Sequence, residues 1–252
     1  MQMEWAYQIS SLKPLLKDIG GVRNVLAELR RIGFKTLQLQ WIDRSVDDEA
    51  VKEALLENGF TCIGIQEKTE DALQYMERCF RQMSLWQAEY FTISGIPEEN
   101  MSRLGIYLFA WLLRQIDEEA EKIGARVTFH PLSTDYRKVD KVCAVYRLLE
   151  ETGDRIQITP DFCHINRAGL SCSEIVRRYA GRCDLVHYKS YKKLPDGTVC
   201  LTPLGKGDQN WQEEYRACVE TKVKYGFIEQ EVWEGDPFDA VRESYDYAVK
   251  LR

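Results

Sequence analysis

No apolar run in the chain approaches the roughly 20 residues that a membrane-spanning helix needs, so a membrane role is not expected. Positive charge is in deficit: 34 Lys and Arg face 40 Asp and Glu, for a net charge of −6. A phosphate backbone is gripped by a basic footprint, so nucleic acid is a poor partner. There is no CxxC pair among the eight cysteines (Cys62, Cys79, Cys143, Cys163, Cys172, Cys183, Cys200 and Cys218), which excludes a zinc ribbon. Met1 to Trp5 carries no basic segment followed by an apolar stretch, so no signal peptide is expected. Scattered thiols in a large chain of that kind are expected to be reduced, and the location cytoplasmic. No GxGxxG follows the first strand-like run and no P-loop occurs, which removes the commonest dinucleotide and nucleotide cradles. No low-complexity tract or Pro/Gly-rich linker interrupts the sequence, so residues 1–252 read as one domain.

What is present is alternation. Hydrophobic residues make up 44% of the chain, enough for a substantial core. Short β-rich runs fall at Trp5–Ser10, Thr36–Gln40, Thr61–Gln66, Tyr90–Ser94, Arg126–His130, Ile156–Thr159, Leu185–Lys189 and Phe227–Val232. Helical spacing lies between them. Leu26, Leu29 and Ile32 form one apolar stripe ending at Gly33, a natural C-cap. Leu108, Leu112 and Ile116 form another before Gly124, and Leu148 and Leu149 close a third before Gly153. Strand–helix alternation implies parallel strands joined by right-handed crossovers. Eight such units in 252 residues predict a (β/α)₈ barrel, which takes about 250. The alternative is a doubly wound open sheet.

In a barrel, function sits where the strands end. Four strand ends in the C-terminal half are polar: His130-Pro131-Leu132-Ser133-Thr134-Asp135, then Asp161 to His164, then His187-Tyr188-Lys189-Ser190, then Glu229-Gln230-Glu231. All three histidines of the chain fall there. Carboxylates with an imidazole suit Mn²⁺ first, with Mg²⁺, Co²⁺ or Zn²⁺ as alternatives. Such an ion polarises a carbonyl, and a carboxylate moves a proton at the neighbouring carbon. Each residue also has a plain reading: Asp161 as a helix cap, His187 as a satisfied core histidine, Lys189 as a solvated strand end. Glu229 and Glu231, two apart, are expected on one face of a strand. Two such carboxylates near a core are costly unless paired or metal-bound. Lys189 shares a face with His187 and can stabilise enolate charge. Trp5 and Trp41 are candidates to stack on a sugar, and His130, His164 and Arg167 to bind its hydroxyls or a carboxylate. The loop Leu204–Gly207 can contact a phosphate or cover the site.

These fragments, in this order, resemble the sugar phosphate isomerase/epimerase superfamily with the xylose isomerase-like barrel. Leu29-Arg30-Arg31-Ile32-Gly33-Phe34 is similar to its early helix-end turn. His130-Pro131-Leu132-Ser133-Thr134-Asp135-Tyr136 stands in the place of HNHxxEF. Asp161, His164 and Gly169 look like its Asp-to-Gly stretch. Gly181 to Ser190 looks like "gRv..vHlKD", Leu204 to Trp211 like "LGeGdxdw", and Ile228-Glu229-Gln230-Glu231 with Asp236-Pro237, Ser244 and Tyr247 like the closing motif.

The resemblance implies a metal held by Asp135, Asp161, His187 and Glu229, with Glu231 competing for the strand-eight place. It implies Asp135 and Glu229 as the acid/base pair around an enediolate. Departures are Asp135 for Glu, Leu132 for the second His, Ser190 for Asp, Gln38 for Glu, and Pro131 in the loop. The expected function is a metal-dependent isomerase or epimerase for a keto-sugar or related polyol. A lyase or dehydratase for a 3-keto-glycoside or keto-inositol is the alternative within enzymes. A non-catalytic or sugar-binding member stands outside them, and a homo-oligomer is allowed but not required. A nuclease for abasic DNA shares this barrel, but three histidines and an acidic balance argue against its His-rich trinuclear zinc site.

Overall fold

Strand-forming residues alternate between two environments, and the ring they build follows from that. The computed structural model describes residues 2–251. Eight parallel strands line it: β1 Glu4–Gln8, β2 Thr36–Leu39, β3 Thr61–Lys68, β4 Tyr90–Ser94, β5 Arg126–His130, β6 Gln157–Ile158, β7 Leu185–Lys189 and β8 Tyr225–Glu229. Their spatial order is β6-β5-β4-β3-β2-β1-β8-β7. Between β6 and β7 the ring is joined by one parallel bridge, Asp161 to His187, with the His187 amide donating to the Pro160 carbonyl at 2.8 Å. This is the (β/α)₈ barrel.

The principal outer helices are α1 Ile19–Ile32, α2 Asp48–Glu57, α3 Met76–Trp86, α4 Arg103–Glu121, α5 Ala144–Glu151, α6 Cys172–Arg178, α7 Trp211–Glu220 and α8 Pro237–Ala248. The α1 helix starts where the Asp18 side chain accepts from the Gly21 amide, and ends at Gly33, whose φ of +130° favours glycine. It buries Val22, Val25, Leu26, Leu29 and Ile32. The α4 helix corrects the expected stripe. Its core face is Ile106, Phe109, Leu113, Ile116 and Ala120, whereas Leu108 is exposed. The helix is apolar on two sides, and Leu104, Tyr107, Leu108 and Trp111 form the outward one. Periodicity alone does not say which side faces the sheet.

Strand ends also shift. The first strand stops at Gln8, where a 3₁₀ turn begins, rather than at Ser10. The eighth stops at Glu229 rather than Val232, because the Gln230 amide leaves the sheet to donate to the Ser11 hydroxyl at 2.8 Å. Two short hairpins, 138–143 and 191–201, were not expected; the second extends the loop after β7.

The barrel interior is layered. Its lower end is filled by Ala6, Ile63, Tyr90, Leu185 and Phe227. Below these, Asp184 accepts from Lys224 at 2.8 Å, from the Tyr90 hydroxyl at 2.8 Å and from the Gln157 amide at 3.1 Å. Burial pushes the Asp184 carboxyl up, but those donors outweigh it and hold it below the ordinary value. Asp184→Asn is therefore expected to cost about 1–3 kcal/mol at pH 7. A depressed folded pKa stabilises above the unfolded value of about 3.9 and stops doing so as pH falls through the folded one. Urea unfolding of both proteins at pH 7 and pH 3 checks this: the gap should narrow in acid.

Candidate functional site

Above the apolar layer the barrel becomes polar. Gln8, Gln38, Thr92, Thr128 and His187, on five strands, and Thr159, just past the end of β6, are fully buried and form a belt. The Gln38 amide donates to Thr92 Oγ1 at 2.7 Å, and Thr128 Oγ1 lies 2.7 Å from Thr159 Oγ1. The direction of this belt can be read. Ser10 N donates to Gln8 Oε1, so Gln8 Nε2 is the end that donates to Gln38 Oε1, at 2.8 Å. Gln38 therefore presents oxygen to His187 Nε2, 2.8 Å away, and that nitrogen carries a hydrogen. On its other side His187 Nδ1 lies 2.7 Å from Glu229 Oε2, with one proton between them. Apart from the departure at Gln38, sequence reasoning passed over this belt. The available signal was a polar residue repeating at inward positions of apolar strands.

Over the belt lies a charged ring. Lys189 Nζ is 3.3 Å from Asp161 Oδ2, 3.2 Å from Glu229 Oε1 and 2.6 Å from Glu231 Oε1. Burial opposes the Lys189 charge, but the three carboxylates outweigh it and hold the ammonium well above its usual value. Burial likewise raises Asp161, and Lys189 with the neighbouring imidazoles reverses this to keep it ionised. Glu229 is held low mainly by Lys189 and His187 against its burial. Glu231, past the strand end, is pushed up to about 7 by burial and by the charge of Glu229.

Asp161 serves two roles at once. Its Oδ1 accepts from the His164 amide at 2.9 Å and caps the short helix Phe162–Arg167, while Oδ2 faces the ring. His130 Nδ1 contacts Ser94 Oγ at 3.0 Å, and His130 Nε2 points at Asp161 Oδ2 across 3.7 Å. Both atoms are buried and neither makes a hydrogen bond among the described residues. His130, Asp161 and His187 each offer a ligand atom, all within 4.8 Å of one another.

The other expected residues are placed as follows. Asp135 is buried but turned away from the ring: Oδ2 accepts from the Leu132 amide at 2.8 Å and from the Ile96 amide at 3.3 Å. Burial pushes its carboxyl up to about 6. Trp5 does not join the site. Ala6 and Gln8 are the inward residues of β1, and Trp5 packs outside the barrel against Tyr188 and Tyr215. Trp41 is half-buried at φ +59°, with Lys13 Nζ 4.8 Å from its ring centre. It borders a cavity of about 560 Å³ with Lys13, Arg44, Glu67 and Lys68, beyond the ends of the first three strands. His164 stands edge-on to His130, its ring held neutral by burial with a pKa of about 4. Arg167 is exposed at the end of its helix. The Leu204–Gly207 loop is pinned to α8: the Leu204 amide donates to Ser244 Oγ at 3.0 Å and Lys206 pairs with Glu243 at 2.8 Å.

The Asp135 placement makes a stability prediction. A carboxyl raised from about 3.9 to about 6 opposes folding when ionised, by up to about 3 kcal/mol above pH 6, and not at all below pH 3.9. Asparagine keeps an oxygen for the two amides without the charge. Asp135→Asn is expected to stabilise the protein by about 1–2 kcal/mol at pH 7.5, with the gain gone by pH 4. Urea midpoints at the two pH values measure it.

The residues fit a divalent cation on two counts. Two buried ligand atoms, His130 Nε2 and Asp161 Oδ2, face each other without hydrogen bonds. Three carboxylates face one ammonium and the proton shared with His187, so full ionisation leaves one negative charge to balance. To ligate an ion, His187 would give up the hydrogen on one of its nitrogens.

An eight-stranded barrel carrying carboxylates and imidazoles at its C-terminal mouth defines a class, and the comparisons agree with it. The chain belongs to the xylose isomerase-like TIM barrel family, whose family model matches residues 26–250. No curated protein matches the sequence significantly. Among solved structures it is similar to a sugar phosphate isomerase/epimerase from Parabacteroides distasonis, at TM-score 0.81 and 15% identity over 98% of this chain and 93% of that one. A probable 3-DHS dehydratase from Bacillus anthracis gives TM-score 0.75 and 13% identity, covering 99% and 100% of the two chains. A 3-keto-D-glucoside 4-epimerase from E. coli gives 0.71 and 16%, covering 98% of each. At such identities the likeness speaks for the fold.

Proposed function

We propose that the protein is a metal-dependent isomerase or epimerase that moves a proton at the carbon beside a sugar carbonyl. The observation that carries this reading is the buried ring in which Lys189 meets Asp161, Glu229 and Glu231. A divalent ion, when bound, would supply Lewis-acid polarisation of the carbonyl, and His130, Asp161 and His187 would hold it. The residues divide the remaining work. Glu231 has a carboxyl near neutral pKa and a side chain about one quarter exposed, which suits a group that takes and returns a proton. Lys189 supplies hydrogen bonds to developing enolate charge. Glu229 orients His187.

Incubation with keto-sugars and polyol-derived ketones in D₂O tests this. Deuterium entering the carbon beside the carbonyl, lost on chelation and restored by Mn²⁺ or Co²⁺, is the expected result. Absence of exchange across ketoses, keto-inositols and 3-keto-glycosides overturns it. A lyase acting on a 3-keto-glycoside is the second reading, because elimination begins with the same proton abstraction beside a carbonyl that Glu231 and Lys189 suit. Release of an alcohol from the substrate selects it.

A further inference from the structure

We infer that the fifth-strand metal ligand in this chain is His130, and that Asp135 has left that role to hold the loop after β5. The inference rests on the metal-dependent reading above, and refines which residues take the ion. Asp135 is occupied elsewhere. Its Oδ2 accepts from two backbone amides, Leu132 and Ile96, which fixes the carboxylate on the loop, and Asp135 is not among the residues whose ligand atoms lie within 4.8 Å of one another. That double bond ties the loop after β5 to the loop after β4.

His130 has the opposite situation. It is the last residue of β5 and points inward, 2% exposed. Ser94, the last residue of β4, fixes the ring through Nδ1 at 3.0 Å. With Nδ1–H donating to the hydroxyl, the Nε2 lone pair is free, and an oriented imidazole of this kind is what a metal site requires. Nε2 makes no hydrogen bond among the described residues, and the buried atom it faces, Asp161 Oδ2, makes none either, being paired only in charge with the Lys189 ammonium at 3.3 Å. A buried nitrogen without a hydrogen bond and a buried carboxylate oxygen whose near charge is the Lys189 ammonium at 3.3 Å lie 3.7 Å apart, too distant to bond each other well and placed to share an ion. His187 completes the group once one of its nitrogens gives up its hydrogen bond, to Gln38 or to Glu229. Two imidazoles and one carboxylate form a softer set than the carboxylate-rich set the sequence resemblance implies, and move the preference toward Zn²⁺ or Co²⁺ over Mg²⁺.

Metal binding without substrate tests this separately from catalysis. The wild-type protein, Asp135→Asn and His130→Ala are loaded with Zn²⁺ or Co²⁺ and dialysed, and metal content is measured. X-ray absorption on the Zn²⁺-loaded wild type counts imidazoles directly, so a poorly folding variant does not decide the matter. Two imidazoles in the wild type, near one ion per chain in Asp135→Asn, and at least tenfold weaker binding in His130→Ala are the expected results. One imidazole, loss of metal in Asp135→Asn with retention in His130→Ala, or no metal bound by the wild type overturns the inference. Sugar turnover enters none of these readings, so a metal-binding protein inactive on every ketose sinks the proposed function and leaves the ligand assignment standing.

Discussion

Asp161→Asn is expected to lose stoichiometric metal and at least ~10³-fold in turnover while remaining folded. The two oxygens of Asp161 allow that separation. Asparagine keeps an acceptor for the His164 amide, so the short helix after β6 still starts where it does. The other end changes sign. An NH₂ group in place of Oδ2 faces Lys189 Nζ at 3.3 Å and His130 Nε2 at 3.7 Å. It can donate to His130 and satisfy that nitrogen, but it cannot ligate a cation, and it puts a donor beside an ammonium. The ring then holds two carboxylates around one ammonium instead of three. Circular dichroism and a urea curve close to wild type, with metal absent after dialysis, are the expected observations. Full metal occupancy in the variant would remove Asp161 from the site.

How far these residues were legible in the sequence depends on how each is held. The barrel was readable because strand–helix alternation is a local signal repeated eight times, and short strands buried between helices have little room to drift. The placement of Asp161, His187, Lys189 and Glu229 together at one end of the barrel was readable for a related reason. A strand end in a barrel has one destination, so a polar residue there is already placed. Residues fixed by a loop or by strand parity were not. Asp135 sits five residues past the end of β5, and only the path of the 3₁₀ turn Ser133–Tyr136 sends its carboxylate to the Leu132 and Ile96 amides. Trp5 failed on parity: Gln8 at the strand end is the inward residue, which puts Trp5 outside. Glu231 was expected on the strand beside Glu229. It lies beyond the strand and meets the same lysine by folding back from the loop.

Lys189→Met should move stability, metal affinity and turnover in directions that a merely structural lysine does not explain. Removing the ammonium leaves Asp161 and Glu229 buried beside the partly exposed Glu231, and breaking a buried charge cluster on one side costs about 3–5 kcal/mol. The sign with pH follows from the carboxyls. Without Lys189 their folded pKa values rise, so the ionised forms oppose folding and the penalty is largest at high pH. Lowering the pH protonates them and returns stability. A divalent cation returns it by another route, because it binds only the folded ring and adds about 2.7 kcal/mol at one hundred times its dissociation constant. With the competing ammonium gone, the ion should bind at least tenfold tighter than in wild type. Turnover should nevertheless fall at least ~10³-fold, because methionine cannot donate to the enolate oxygen. Tight metal with lost turnover assigns Lys189 to the substrate. Full turnover in the metal-loaded variant would reduce it to a neutralising charge.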